Sequence, residues 1–174
     1  MSIKTMIRIR TLDPQHEPDL QDALAIFQQA FLDAWTEPRL QNMLQTRTVC
    51  GLLAGTSGGS GLSCGCLVYQ GYRAGRRILS VGVLQDAAEQ GFATALIRTV
   101  QDRVLQAPSP EEIVACIAAD NLPAQRCFQK SGFRHVRTLH NYYRDGRAAY
   151  VVRWAPGERV ECGEGAAVGS LRMD

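Results

Sequence analysis

The residues best suited to do chemistry lie in Val81-Gly82-Val83-Leu84-Gln85-Asp86-Ala87-Ala88-Glu89-Gln90-Gly91-Phe92-Ala93-Thr94-Ala95-Leu96. An apolar run empties into a loop, and Gly91-Phe92-Ala93 then opens a helical pattern. Gly91 has no side chain and Ala93 little, so a phosphate can approach the backbone closely. The first amides of a helix are unpaired and sit at the positive end of its dipole, which suits a pyrophosphate without lysine or metal. The spacing is neither a Rossmann GxGxxG nor a Walker loop. Taken alone, the stretch is explained by a turn that needs a glycine. Asn121-Leu122-Pro123 reads as a helix cap followed by a first-turn proline. The six cysteines (Cys50, Cys64, Cys66, Cys116, Cys127 and Cys162) form no CxxC. Cys64-Gly-Cys66 puts two thiols on one strand face, too few and wrongly spaced for a structural zinc site. They read as reduced, mostly buried thiols, and no metal is expected.

The elements that must position these residues follow from periodicity. Ile7–Arg10 alternates as a short strand, broken by Asp13-Pro14. Leu20, Ala23, Leu24, Phe27, Ala30, Phe31 and Ala34 recur at helical spacing, with Asp19 as the expected N-cap. Thr36-Glu37-Pro38 opens a second short helix to about Gln45. Thr48–Leu53 and Leu62–Tyr69 are strands around a Gly/Ser-rich turn. Arg77–Val83 is expected as a central strand buried on both faces. Gly91–Gln106 is a second strong helix, ended by Pro108-Ser109-Pro110. Glu112–Ala118 is read as another buried strand. A short helix runs from Asn121 to Ser131, stopped by Gly132. Phe133–Leu139 and Ala148–Trp154 form a closing hairpin around Arg144-Asp145-Gly146-Arg147. The order β αα β β β α β α β β predicts a single α/β (α+β) domain. Its sheet should be mixed and mostly antiparallel, with helices on both faces. Residues 1–154 are expected to form that domain and 155–174 a flexible tail.

Composition sets the outer bounds. The 174 residues fit one domain of ordinary size, and 45% hydrophobic with 21% charged residues excludes a wholly disordered chain. Nineteen Lys+Arg against seventeen Asp+Glu leave a net charge of +2, not the basic footprint of a nucleic-acid binder. No apolar run approaches the roughly 18 residues of a membrane span. The opening MSIKTMIRIR has no signal-peptide core. The expected compartment is the cytoplasm, without a nucleic-acid or membrane partner; the oligomeric state is not readable.

Three further segments stand at matching distances: Asn121-x-x-Ala124-x-x-x-Phe128-x-x-Ser131-Gly132-Phe133, then Asn141-Tyr142-Tyr143-x-Asp145-Gly146-x-Ala148-Ala149-Tyr150, and upstream Ala34-Trp35-Thr36-Glu37. With the Gly91 loop, and in this order, they resemble the GNAT superfamily of acetyl-CoA-dependent N-acetyltransferases over about residues 7–154. Within it they are most similar to the ribosomal-protein-alanine N-acetyltransferases, which modify protein N-termini.

The resemblance implies acetyl-CoA as cosubstrate and direct attack of an amine on its thioester. It implies that Val81, Gly82 and Val83 hold the pantetheine arm, with the Val83 amide near the thioester oxygen. Glu89, Gln90, Gly91, Phe92, Ala93 and Thr94 would form the pyrophosphate loop, and Asn121 would bond the pantetheine. Trp35, Tyr142 and Tyr143 would line the acceptor groove, the two tyrosines also relaying or donating a proton. The pattern's Arg or Gln three residues before the glycine is Ala88 here. The family's glutamate base falls at Cys116 and its tyrosine acid at Phe128. A protein or peptide N-terminus is therefore the expected acceptor, because an α-amine titrates at about 7.7–8.0 and lysine at about 10.4. A small amine acceptor, or a non-catalytic acyl-CoA-binding module, are the alternatives.

Overall fold

Side-chain alternation assigns two apolar faces to one sheet, and each face carries its own pair of helices. The computed structural model describes residues 6–31, 35–56, 62–109 and 111–157. Its strands are β1 (Ile7–Thr11), β2 (Val49–Thr56), β3 (Ser63–Tyr72), β4 (Gly75–Val83), β5 (Glu112–Ala118), β6 (Arg134–Leu139) and β7 (Ala149–Trp154). Its α-helices are α1 (Glu17–Ala30), α2 (Glu37–Leu44), α3 (Phe92–Leu105) and α4 (Leu122–Lys130). The sheet order is β1-β2-β3-β4-β5-β7-β6. Only β4 and β5 run parallel, joined through α3, while β7 slots in between β5 and β6. The mixed, mostly antiparallel sheet with helices on both faces matches the expectation.

On one face Leu52, Leu67, Ile78, Ile113 and Ile117 pack against Phe92, Leu96, Ile97 and Val100 of α3 and Phe128 of α4. On the other, Leu53, Cys66 and Val68 meet Leu20, Ala23, Ile26 and Phe27 of α1 and Leu40 and Leu44 of α2. Burying each large apolar side chain contributes about 1.5–3 kcal/mol. A Cβ on Gly82 would stand 3.1 Å from Ala30 Cβ and 3.2 Å from Phe27 Cδ1, so α1 rests directly on β4 there.

Three expectations need correction. The N-cap of α1 is His16, not Asp19. The helix starts at Glu17-Pro18, and proline suits that first turn because its missing N–H is an orphan anyway. Asp19 sits buried within the first turn, where it accepts from the Asp13 amide at 3.0 Å and meets His16 Nδ1 at 2.7 Å and Arg10. Burial pushes its carboxyl up, but Arg10, the Asp13 amide and His16 outweigh that and hold it at about 2. The strand buried on both faces is β3, not β4: Gly65–Tyr69 is continuously buried, whereas Arg77 is exposed and Leu79–Val81 half-buried. The strand β5 alternates, burying Ile113, Ala115 and Ile117 on one face only. Of the expected tail, residues 158–174 lie outside the described residues, as do Ala34 and Cys162.

Candidate active site

The site begins with a defect in β4. Val68 pairs with Ser80 and Tyr69 with Ile78, so Leu79 is an extra residue, a β-bulge. Pairing between β4 and β5 stops at Ile78–Ala115, just before that bulge. Beyond it β4 stays with β3, while Cys116–Ala118 of β5 stay with β7. Two parallel strands therefore open into a V.

The direction of the peptide groups inside the V follows from one bond. Leu84 N–H donates to Cys64 O at 2.8 Å, marking a hydrogen-bonded pair between β4 and β3. Antiparallel pairs alternate, so Gly82–Cys66 and Ser80–Val68 are also bonded pairs. Val81 and Val83 then turn their N–H and C=O groups away from β3, into the opening.

At the wide end of the V lies the start of α3. Glu89 (φ +62°) and Gly91 (φ +92°) are both left-handed, and alternating left-handed turns direct successive amides into one concavity. A Cβ on Gly91 would meet only Ile7 Cδ1, at 3.9 Å. The backbone conformation, not lack of room, calls for glycine there. The loop is braced by Gln85 N–H to Gln29 Oε1 at 2.7 Å and Gln90 Nε2 to Asp86 O at 3.0 Å. No side chain caps α3, and its first turn has no acidic residue. The first bond it closes is Ala95 N–H to Gly91 O, 2.9 Å. Among the described residues, the amides of Phe92, Ala93 and Thr94 meet no acceptor. By contrast α4 is capped: Asn121 Oδ1 accepts from Ala124 N–H at 3.1 Å.

At the narrow end, on the α1/α2 face, three elements bring a guanidinium, a thiol and a phenol together. Arg77 Nη2 of β4 lies 3.6 Å from Cys116 Sγ of β5 and donates to Tyr142 Oη at 3.2 Å. The loop carrying Tyr142 is closed by the Tyr142 and Tyr143 amides on Arg147 O, each at 3.1 Å. Tyr143 sits edge-on to Tyr142 (5.1 Å) and under the Arg147 guanidinium (5.4 Å). Arg147 in turn pairs with Asp145 (2.7 Å) and Asp120 (3.2 Å). Burial pushes the Tyr142 phenol up, Cys116 adding to it and Arg77 opposing it. Burial likewise raises Tyr143. Both phenols are therefore protonated at neutral pH and are proton donors there rather than bases.

Apart from Asn121, Tyr142 and Tyr143, the residues singled out from the sequence fall into two groups. Val81, Val83, Glu89, Gln90, Gly91, Ala93 and Thr94 line the V and its wide end, and Thr94 Oγ1 also touches Cys127 Sγ at 3.6 Å. Gly82 faces α1, and the Phe92 ring is buried in the core, so Phe92 offers only its amide. Trp35 is also in the core, stacked on Phe27 at 4.8 Å with Arg39 over its ring at 5.3 Å. Phe128 is buried edge-on to Phe133, 4.9 Å away. Sequence reading missed Arg77, which periodicity placed inside a strand with nothing to show that a thiol and a phenol from two other elements converge on it.

A family model for the acetyltransferase (GNAT) family matches residues 18–133. The chain belongs to the acetyltransferase (GNAT) family. A protein of Sulfurisphaera tokodaii named N-alpha-acetyltransferase is 31% identical over 75 residues, which are 43% of this chain and 45% of that one. One of Saccharolobus solfataricus with the same name matches over equal shares at 31%. The match thus spans under half the length of these curated relatives. In fold, this GNAT chain is similar to the ribosomal-protein-S18-alanine N-acetyltransferase of Escherichia coli (TM-score 0.75, 20% identity, 94% of this chain and 100% of that one). It is also similar to Arabidopsis thaliana NAA60 in complex with acetyl-CoA (TM-score 0.74, 22% identity, 88% of this chain and 100% of that one). Among the described residues no group of His, Cys, Asp or Glu is placed to hold a metal ion, and no helix is long and apolar enough to cross a membrane.

Proposed function

We propose that the protein is an acetyl-CoA-dependent N-acetyltransferase whose acceptor is a protein or peptide N-terminal α-amine. The observation that carries this reading is the V between β4 and β5, with uncapped amides at its wide end and a proton-donor cluster at its narrow end. The two ends suit the two ends of one acyl-CoA. The amides of Phe92, Ala93 and Thr94 would take the pyrophosphate, charge against dipole. The inward peptide groups of Val81 and Val83 would pair with the pantetheine arm as an added strand, the mode by which extended ligands bind a free sheet edge. The same amides are the donors available to a thioester oxyanion. Asn121, whose Oδ1 is already committed to its helix, would add its amide nitrogen.

The amine attacks the thioester carbon directly, with alignment in the V supplying most of the advantage. Tyr142, held protonated, would donate to the thiolate as the C–S bond breaks and regain a proton from the nitrogen that has formed the new C–N bond, with Tyr143 fixing its ring. Among the described residues the Cys116–Tyr142 cluster holds no carboxylate base, which favours an α-amine, roughly a third of which is neutral at about pH 7.5, over lysine, at about one in a thousand. The similarity to proteins named N-alpha-acetyltransferase supports the same acceptor.

Titration calorimetry with acetyl-CoA, followed by turnover on peptides with free or blocked N-termini, tests the proposal. Gly91→Glu is expected to weaken acetyl-CoA about 100-fold, near 2.7 kcal/mol. Gly91→Ala, which carries the backbone strain without the charge, should weaken it far less. Wild-type affinity in Gly91→Glu would show that acetyl-CoA lies elsewhere. Acetylation of internal lysines at neutral pH in blocked peptides would defeat the α-amine reading, as would a rate that does not rise as the substrate amine titrates near 8.

A further inference from the structure

The helices α1 and α2 pack on β2, β3 and β4 on their face of the sheet; the corresponding face of β5, β7 and β6 carries no helix among the described residues. The charges on that uncovered part are one-sided. Val152 points to the α3 side, so its neighbours Val151 and Arg153 point to the open side. Register places Val114 and Arg134 beside Arg153, and Cys116 and Arg137 beside Val151. Arg77 pairs in register with Val114 and completes the set. Among the described residues the carboxylate serving this face is Glu112, which Arg153 (3.6 Å) and the Tyr72 hydroxyl (3.2 Å) already occupy. Asp120 and Asp145 at its rim are both taken by Arg147.

Arg77 is the exposed cation nearest the narrow end of the V. Its partners are a thiol and a phenol, and among the described residues no carboxylate lies within ion-pair distance of it. A guanidinium with only neutral partners keeps its capacity for a bidentate carboxylate. The geometry points to an acceptor that carries a carboxylate on its first residues, bound by Arg77 with Arg137 and Arg134 extending the positive strip along the chain that follows. This assignment rests on the acceptor reading above and deepens it: the substrate class is an acidic N-terminal peptide.

Three peptides identical except for Glu-Glu, Gln-Gln or Lys-Lys after an N-terminal Ser, each with a C-terminal fluorophore, test it on the full chain. Initial rates of CoA release give KM and kcat, and anisotropy in the presence of CoA gives peptide affinity directly. The Glu-Glu peptide is expected to have a KM and a Kd about tenfold below those of Gln-Gln, with Lys-Lys weakest, and added salt should narrow the gap. Arg77→Gln should remove most of that preference and Arg77→Lys should restore part of it. Equal affinities for the three peptides, a preference for Lys-Lys, or an acidic preference that survives Arg77→Gln would each overturn the assignment. If no peptide is acetylated, the N-terminal acetyltransferase reading fails, while the anisotropy series still decides whether this face selects acidic chains.

Discussion

The molecule contains two arginine–tyrosine–cysteine clusters built from the same three groups, and they behave differently. In one, Arg103 of α3 donates to Tyr69 Oη at 2.7 Å and to Thr11 Oγ1 at 2.9 Å, and lies 3.2 Å from Cys50 Sγ. Tyr69 is 3% exposed, and the arginine ties α3 to β1, β2 and β3. In the other, Arg77 reaches Tyr142 and Cys116 at 3.2 and 3.6 Å, and Tyr142 is 43% exposed. Burial raises the phenol in both. The difference lies in what covers them. The helix α3 closes over the first cluster and its donors are spent on fixed acceptors, so it is a clasp. The second sits where the sheet splits and where no helix among the described residues covers it, so its donors remain free to meet something that arrives.

On that contrast, the largest stability loss comes from the clasp. Arg103→Ala leaves the buried Tyr69 hydroxyl without its donor and should cost about 3 kcal/mol in urea unfolding, with no change in acetyl-CoA affinity. A loss below about 1 kcal/mol would erase the distinction. Arg10 on buried Asp19 extends the same rule to a carboxylate. The Asp19 carboxyl is held at about 2 in the folded state against 3.8 unfolded. Its contribution, up to about 2 kcal/mol, is therefore complete above the unfolded value and lost as pH falls toward the folded one. Asp19→Asn should flatten that limb of the acid-unfolding curve.

On the open cluster the effects move from stability to rate. Tyr142→Phe should lower kcat about tenfold, near 1.4 kcal/mol of barrier, and leave the urea midpoint unchanged. Because both phenols titrate above their ordinary range, the rise of rate with pH near 8 should persist in this variant. A midpoint shift without a rate change would make Tyr142 a second clasp. The smallest effect is on the stability of Arg77→Ala, expected to stay within about 0.5 kcal/mol because the side chain is exposed and its bonds are long.

Glu-Pro marks the first turn of both α1 and α2. The sequence shows Glu37-Pro38 after Thr36, a good capping residue, and that start was legible. Glu17-Pro18 follows His16, which caps poorly by type, so Asp19 drew the assignment three residues late. Arg77–Val83 reads as a buried strand because its composition is that of one, and nothing local shows that β5 departs after Ile78. The Gly91 loop was legible because its requirements are local: a left-handed glycine and a helix that begins without a cap.

Periodicity, capping and turn residues act within a few positions, so the sequence by itself determined the element order, the two apolar faces of the sheet and the loop before α3. The V and the Arg77 cluster were decided by tertiary structure. A one-residue bulge moves β4 off β5, and the hairpin beyond α4 brings Tyr142 to within hydrogen-bond reach of a residue 65 positions earlier. Such convergence depends on strand pairing across the sheet, where long-range hydrogen bonds and packing set the register, and no local pattern of residues records it.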